Sequence, residues 1–227
     1  MERRTGMELV SINISSIKTI ELNGKKISTG IFKKPTAGSI YIGTENIAGD
    51  KQADLKNHGG KDKAVYAFSS DHYSYWASIL KDPDLKPGAF GENLTISGLD
   101  EAQIHIGDII SIGKSLLEVS QPRVPCFKLG MALNNKNLPK LFIDHGATGV
   151  YFRVLEQGHI KPGDKVEVIK SEPSKVAVKS LFRAYFDNSF EEAINVIERA
   201  IDLSQLAEEW RGILPRRLEK LQQKSFQ

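Results

Sequence analysis

The chain has 227 residues, 40% of them hydrophobic and 26% charged, an ordinary composition for a globular protein with ample core. Its formal net charge of +3 is too small to argue for a nucleic-acid partner but suits a local anion-binding patch. A single cysteine excludes an intrachain disulfide, a cysteine-only zinc site and an iron–sulfur cluster built by this chain alone.

The first residues, Met1 to Met7, are basic, but the next stretch is broken by Ser11, Asn13, Ser15, Ser16 and Lys18. That is no secretory apolar region, and no segment approaches the run of about 20 apolar residues that spans a bilayer. Residues 1–7 are therefore expected to be a disordered tail with Met7 a candidate start, and the chain is expected to be cytoplasmic, with no membrane association.

From residue 8 to 172 the pattern is mainly β. Leu9 to Ile14 alternates with period two; Ser39–Ile42, Ala64–Phe68 and Asn93–Ile96 are β-rich and bounded by glycine or polar turns. Two related units, Ile106-Gly107-Asp108-Ile109-Ile110 and Pro162-Gly163-Asp164-Lys165-Val166, each put a Gly-Asp turn before an alternating strand. Such units predict a barrel or a closed, strongly bent sheet. Helices interrupt it at Ser70–Leu80, where Tyr73, Trp76, Ala77 and Leu80 form a packing face, and at Leu138–Ile143, with Gly146 as terminator.

After Pro173 the character changes. Residues 173–227 predict a small three-helix domain: Val176–Tyr185, then Ala193–Ala200 behind a capping box at Ser189–Glu192, then a helix opened by Ser204 and kinked or divided by Pro215. So small a unit is expected to pack on the barrel or on a second subunit, the latter making a homodimer. Its basic residues Arg211, Arg216, Arg217, Lys220 and Lys224 are mixed with Glu208, Glu209 and Glu219, as on a solvated face, so nucleic acid is not an expected partner.

Cys126 lies in Ser120-Gln121-Pro122-Arg123-Val124-Pro125-Cys126-Phe127-Lys128. Two prolines stiffen that loop, and Arg123 and Lys128 bracket the sulfur with positive charge that favours the thiolate, the form that attacks or ligates a soft metal. Lys56-Asn57-His58-Gly59-Gly60-Lys61-Asp62-Lys63 precedes a strand; its paired glycines can form an anion-binding nest, with Lys61 and Lys63 adding charge and His58 a titratable base. A glycine hairpin with solvated lysines is the plainer account of that stretch. Asn93 offers a donor and an acceptor for a heterocycle edge, and Arg123 has a planar fork for phosphate or carboxylate. The remaining histidines have no metal-ligand spacing, and no nucleotide-binding glycine fingerprint is present.

Together these segments resemble the MOSC domain, the C-terminal domain of molybdenum cofactor sulfurases. The resemblance is carried by the His-Gly-Gly core at 56–65, by Gly88-Ala89-Phe90-Gly91-Glu92-Asn93-Leu94, by the cysteine loop, and by Thr148–Gly158 followed by Pro162-Gly163-Asp164. Order and spacing are similar to the YiiM-type branch, which carries a C-terminal three-helix domain. The resemblance implies a β-barrel-like fold and a molybdenum cofactor, a pterin with a dithiolene and a phosphate. It implies Cys126 as the molybdenum ligand, with His58, Gly59, Gly60, Lys63, Asn93, Arg123, Lys128 and Arg153 holding the pterin and phosphate. Sulfurases join this domain to a pyridoxal-phosphate domain for which this chain has no room, so pyridoxal phosphate is not expected.

The function implied is an oxidoreductase that reduces N-hydroxylated compounds such as hydroxylamino bases. Cys126 would hold the metal and His58 would assist protonation. With one cysteine the chain carries no electron-transfer cluster, so an external flavoprotein or ferredoxin-like donor is expected. The alternative is a sulfur or cofactor carrier, with a transferable persulfide on Cys126.

Overall fold

The computed structural model describes residues 6–54 and 59–225. Twelve strands are β1 (Met7–Ile14), β2 (Lys18–Leu22), β3 (Lys25–Thr29), β4 (Lys34–Pro35), β5 (Ile40–Ile42), β6 (Val65–Ser69), β7 (Leu94–Ser97), β8 (Ile109–Ile112), β9 (Ser115–Pro122), β10 (Val150–Glu156), β11 (Gly158–Ile160) and β12 (Lys165–Lys170). Among the described residues six α-helices are α1 (Tyr73–Leu80), α2 (Phe127–Ala132), α3 (Leu138–His145), α4 (Val178–Phe186), α5 (Ala193–Ile201) and α6 (Glu208–Ser225).

Seven strands close a ring in the order β12-β8-β9-β10-β6-β7-β1, and β1 returns to β12 through Met7 opposite Val166 and Glu8 opposite Lys165. Closure removes the exposed strand edges that an open sheet would have to protect. All neighbours in the ring run antiparallel except β6 and β7. Both Gly-Asp turns form as expected. Gly107 and Gly163 have φ of 87° and 90°, and the following aspartates accept backbone N–H bonds from His105 at 2.9 Å and Lys161 at 2.8 Å. Met7, assigned to the tail from sequence, is the first residue of β1, while residues 1–5 lie outside the described residues.

Strand alternation sorts side chains to two cores. From β6, Val65 and Ala67 enter the barrel, whereas Tyr66 and Phe68 point outward. From β10, Val150, Phe152 and Val154 enter, leaving Tyr151 and Arg153 outside. The outward set meets Trp76 of α1, Leu129 of α2, Leu138 and Phe142 of α3, and Phe90 in a second, aromatic core. Trp76 and Phe142 stack there with centroids 4.1 Å apart, and burying each such ring contributes about 2–3 kcal/mol. The functional site is built on this outer face.

The barrel core continues without a break into the C-terminal helices, where Leu181, Phe182, Val196, Ile197, Trp210 and Leu214 join Ile106, Leu117 and Val119 in one cluster. The three helices therefore pack on the barrel. The capping box does not form: Ser189 Oγ donates to Asp187 Oδ1 at 2.6 Å, and Glu192 takes the N-cap position of α5 without a side-chain bond. The last helix begins at Glu208 rather than near Ser204, and Pro215 sits inside it without dividing it. Among the described residues no helix is long and apolar enough to cross a membrane.

Candidate functional site

The cysteine loop is short in the folded chain. β9 runs to Pro122 and α2 begins at Phe127, so only Arg123 to Cys126 lie between. Its first residue is pinned on both sides: Arg123 N–H donates to the Gly149 carbonyl at 3.0 Å, and Thr148 Oγ1 donates to the Arg123 carbonyl at 2.6 Å. Tyr66 Oη in turn donates to the Thr148 carbonyl at 2.8 Å. Gly149 permits this crossing. Its φ is +91°, and a Cβ there would lie 2.5 Å from the Ala67 carbonyl oxygen. Cys126 is extended (φ −121°, ψ 171°), occupies the N-cap of α2 and is partly buried; its side chain does not close the helix end.

Cys126 faces a pocket on the outer face of the barrel. Tyr66, Asn93 and Tyr151 form the strand wall; Gly30, Ile31 and Lys33 come from the segment after β3, and Lys51 to Asp54 from a second loop. Phe90 and Gly91 close another side, and Arg123, Val124, Lys128 and Lys63 complete the lining. Two of the sequence-derived glycine elements thus serve different ends. The Gly88–Leu94 loop is moulded around buried Glu92, whose carboxylate accepts from Gly88 N–H (2.6 Å), Phe90 N–H (3.1 Å), Thr95 Oγ1 (2.9 Å) and the Tyr73 hydroxyl. Burial pushes that carboxyl above its usual range and these donors oppose the push. The loop delivers Phe90 and Gly91 to the pocket, where a Cβ on Gly91 (φ +80°) would meet Ile31 Cγ1 at 2.9 Å.

Arg123 is the decisive residue. It is only 5% exposed, its guanidinium lying 5.4 Å from the Tyr66 ring centroid and 5.7 Å from that of Phe142. Its Nη1 is buried without a hydrogen-bond partner, and among the described residues no carboxylate pairs with the group. A cation so far out of water costs several kcal/mol when unpaired, and two aromatic faces offset roughly 1–3 kcal/mol of that. The balance asks for an anion. Around it both phenols are held protonated: burial pushes Tyr151 up to about 12 and Tyr66 higher, with Arg123 opposing in each case. The Tyr151 shift also carries a contribution from Cys126, which places the sulfur within electrostatic reach of that ring.

The other residues expected at the site fall out unevenly. Lys128 lines the pocket, with Nζ 3.5 Å from Asp54 Oδ2, and Lys63 lines it with Nζ 2.5 Å from Glu209 Oε2. Asn93 is in the wall, but its side chain is engaged by the protein: Nδ2 donates to Asp50 Oδ2 at 3.0 Å and Oδ1 accepts from Tyr66 N–H at 3.2 Å. It shapes the wall instead of presenting a free edge. Gly59 and Gly60 precede the turn that carries Lys63, and Gly60 has φ 83°. His58 lies outside the described residues.

Arg153 corrects the expectation that every basic residue here faces the cofactor. Its guanidinium donates to Asp62 Oδ1 through Nε (2.9 Å) and Nη2 (2.7 Å), reaches Glu118 through Nη1, and touches the Gln205 carbonyl at 3.4 Å. Its donors are committed to structural partners, and it is not in the pocket wall. Sequence reasoning missed Lys33, whose Nζ is 2.5 Å from Asp50 Oδ2 in a buried pair, and both tyrosines. Burial lowers the Lys33 pKa, and Asp50 opposes that. Tyr66 and Tyr151 were legible in part, since each alternates with core residues along its strand and so had to face outward.

The arrangement is a partly buried thiol beside a buried guanidinium in a pocket walled by aromatic rings. The MOSC domain family pattern matches residues 54–167. The uncharacterized protein YflK of Bacillus subtilis (strain 168) is 38% identical over 213 residues, 94% of this chain and 95% of its own length. A protein named Reductase from Gibberella moniliformis is 35% identical over 178 residues, covering 77% of this chain and 31% of that protein. The crystal structure of YiiM from Geobacillus stearothermophilus has a TM-score of 0.78 and 32% identity, covering 93% of this chain and 99% of that one. The chain belongs to the MOSC domain family, in its YiiM-type branch.

Proposed function

We propose that this MOSC protein binds a molybdenum cofactor through Cys126 and is an oxidoreductase that reduces N-hydroxylated compounds, hydroxylamino bases among them. The observation that carries the reading is Arg123, a buried guanidinium with an unpartnered Nη1 in the same pocket as the only thiol. That pairing fits a ligand that joins a phosphate to a sulfur-bound metal, since guanidinium suits phosphate and thiolate suits a soft centre. The family match and the reductase name of one relative support a redox role at the coarser level.

Removing oxygen from R–NHOH to give R–NH2 takes two electrons and two protons and releases water. When bound, the cofactor supplies the two-electron metal centre for that exchange. The chain's own contributions derive from its residues. Cys126 is the metal ligand, and Arg123 holds the phosphate, with Lys128 and Lys63 adding positive charge. Phe90, Ile31 and the two tyrosine rings exclude water from the wall. His58, two positions before Gly60, is the proposed proton donor to the departing oxygen. Electrons come from a separate flavoprotein or ferredoxin-like donor, because one cysteine builds no cluster.

The test is reduction of a hydroxylaminopurine by cofactor-loaded protein with a chemical reductant. The Cys126→Ala variant is expected to fall at least about 100-fold, to background, with its thermal midpoint little changed. Equal rates in the two proteins contradict the proposal.

A further inference from the structure

The family match ends at residue 167, yet the helices beyond it reach back to the pocket. The start of α6 is latched to the 3-10 turn Lys61–Lys63. Ala207 N–H donates to the Ser120 carbonyl at 3.0 Å, and Glu208 N–H donates to Asp62 Oδ2 at 3.3 Å. Ser120 Oγ donates to the Asp62 carbonyl at 2.5 Å, and Arg153 holds the other Asp62 oxygen. With Asp62 at the middle of that turn held through its carbonyl and both carboxylate oxygens, the next residue along α6 sets its carboxylate on Lys63: Nζ to Oε2 is 2.5 Å, with the lysine side chain 11% exposed and the glutamate 55% exposed.

We propose that Glu209 is a positioning residue of the pocket, an internal anion that holds Lys63 and competes with incoming phosphate for it. The inference rests on the anion-binding reading of the pocket and extends it to a segment that the family pattern does not cover. Lys63 is a wall residue, so its charge acts on a ligand there, and a carboxylate in contact with it subtracts from that field. Glu209 is felt deeper in the site as well, since it contributes to the upward push on the Tyr151 phenol. Arg123, by contrast, has no such carboxylate among the described residues. The C-terminal helices thus weaken one of the pocket's cations and leave another at full strength.

The sign of the effect separates this role from a purely structural one. Glu209→Gln keeps an oxygen that accepts from Lys63 Nζ while removing the competing charge. Titration of the full chain with inorganic phosphate at low salt is expected to show binding tightened roughly twofold to fivefold in Glu209→Gln, the range for a half-exposed ion pair. In a Lys63→Gln background the same substitution is expected to change nothing, and this coupling is the readout, with thermal midpoints measured alongside. Unchanged or weakened phosphate binding in Glu209→Gln, or equal tightening with and without Lys63, overturns the inference while leaving the pocket's anion role standing. No binding by wild type, or binding that survives Arg123→Leu, overturns that role and the inference with it.

Discussion

Two arginines near the site, Arg123 and Arg153, do opposite things. Arg153 donates to two carboxylates and a carbonyl and so ties β9, β10, the Asp62 turn and the approach to α6 together. Arg123 is the more buried and donates to none of them. Removing a paired, half-buried cation strands its partners, so Arg153→Leu is expected to cost about 2–3 kcal/mol of stability. Removing an unpaired buried cation relieves a desolvation penalty, so Arg123→Leu is expected to leave the ligand-free thermal midpoint unchanged or raised while losing most phosphate binding. Thermal unfolding of both variants, with and without phosphate, checks the pair; an Arg123→Leu protein as destabilised as Arg153→Leu argues against the account. The planar fork of Arg123 made it a candidate anion ligand and the family resemblance added Arg153, because charge and position say nothing about which carboxylates the fold brings near. Cys126 was legible, since two prolines and two cations around a lone cysteine are local facts.

Among elements, periodicity carried most of the information. The alternation of β1, the β-rich run of β6 and the paired Gly-Asp turns translate directly into ring strands. The hairpin β2–β3 was missed although Asn23-Gly24, with φ of 51° and 74°, is a strong hairpin turn. The capping box at Ser189 does not form because the helix starts later, with Glu192 at its N-cap, while the serine hydroxyl donates to Asp187 Oδ1. Two of the five cations expected on a solvated helix face also bond to backbone carbonyls: exposed Arg211 donates to the Leu206 carbonyl at 2.8 Å and partly buried Arg217 to the Ala184 carbonyl at 3.1 Å. The end of α3 carries a pH dependence. Burial holds His145 below its ordinary 6.5, His72 and Lys179 push the same way, and Glu101 opposes; the rings of Tyr75 and Trp76 pack beside it. In the window below 6.5 the unfolded chain therefore binds a proton that the folded chain rejects. Its contribution to stability is present above that window and is lost as pH falls through it. Denaturation midpoints at about pH 7.5 and about pH 5.5 should differ less in His145→Asn than in wild type; an equal or larger difference contradicts this assignment.

At the scale of the molecule, a barrel and three helices share one core, so the helical segment is part of the site's support. The sequence separates the two by composition after Pro173, but it could not show that α6 returns to the turn carrying Lys63, because that contact joins residues 146 positions apart. The family resemblance supplied the overall architecture, and periodicity filled in its strands. What neither could supply was the pairing state of the buried cations, on which the functional reading turns. The most direct test of that reading is the molybdenum content of protein purified from a host that makes the cofactor. Thiolate ligation predicts about one molybdenum per chain in wild type and essentially none in Cys126→Ala. Wild-type protein free of molybdenum, or equal content in the two proteins, would contradict it, and a persulfide on Cys126 in metal-free protein would favour a sulfur carrier instead.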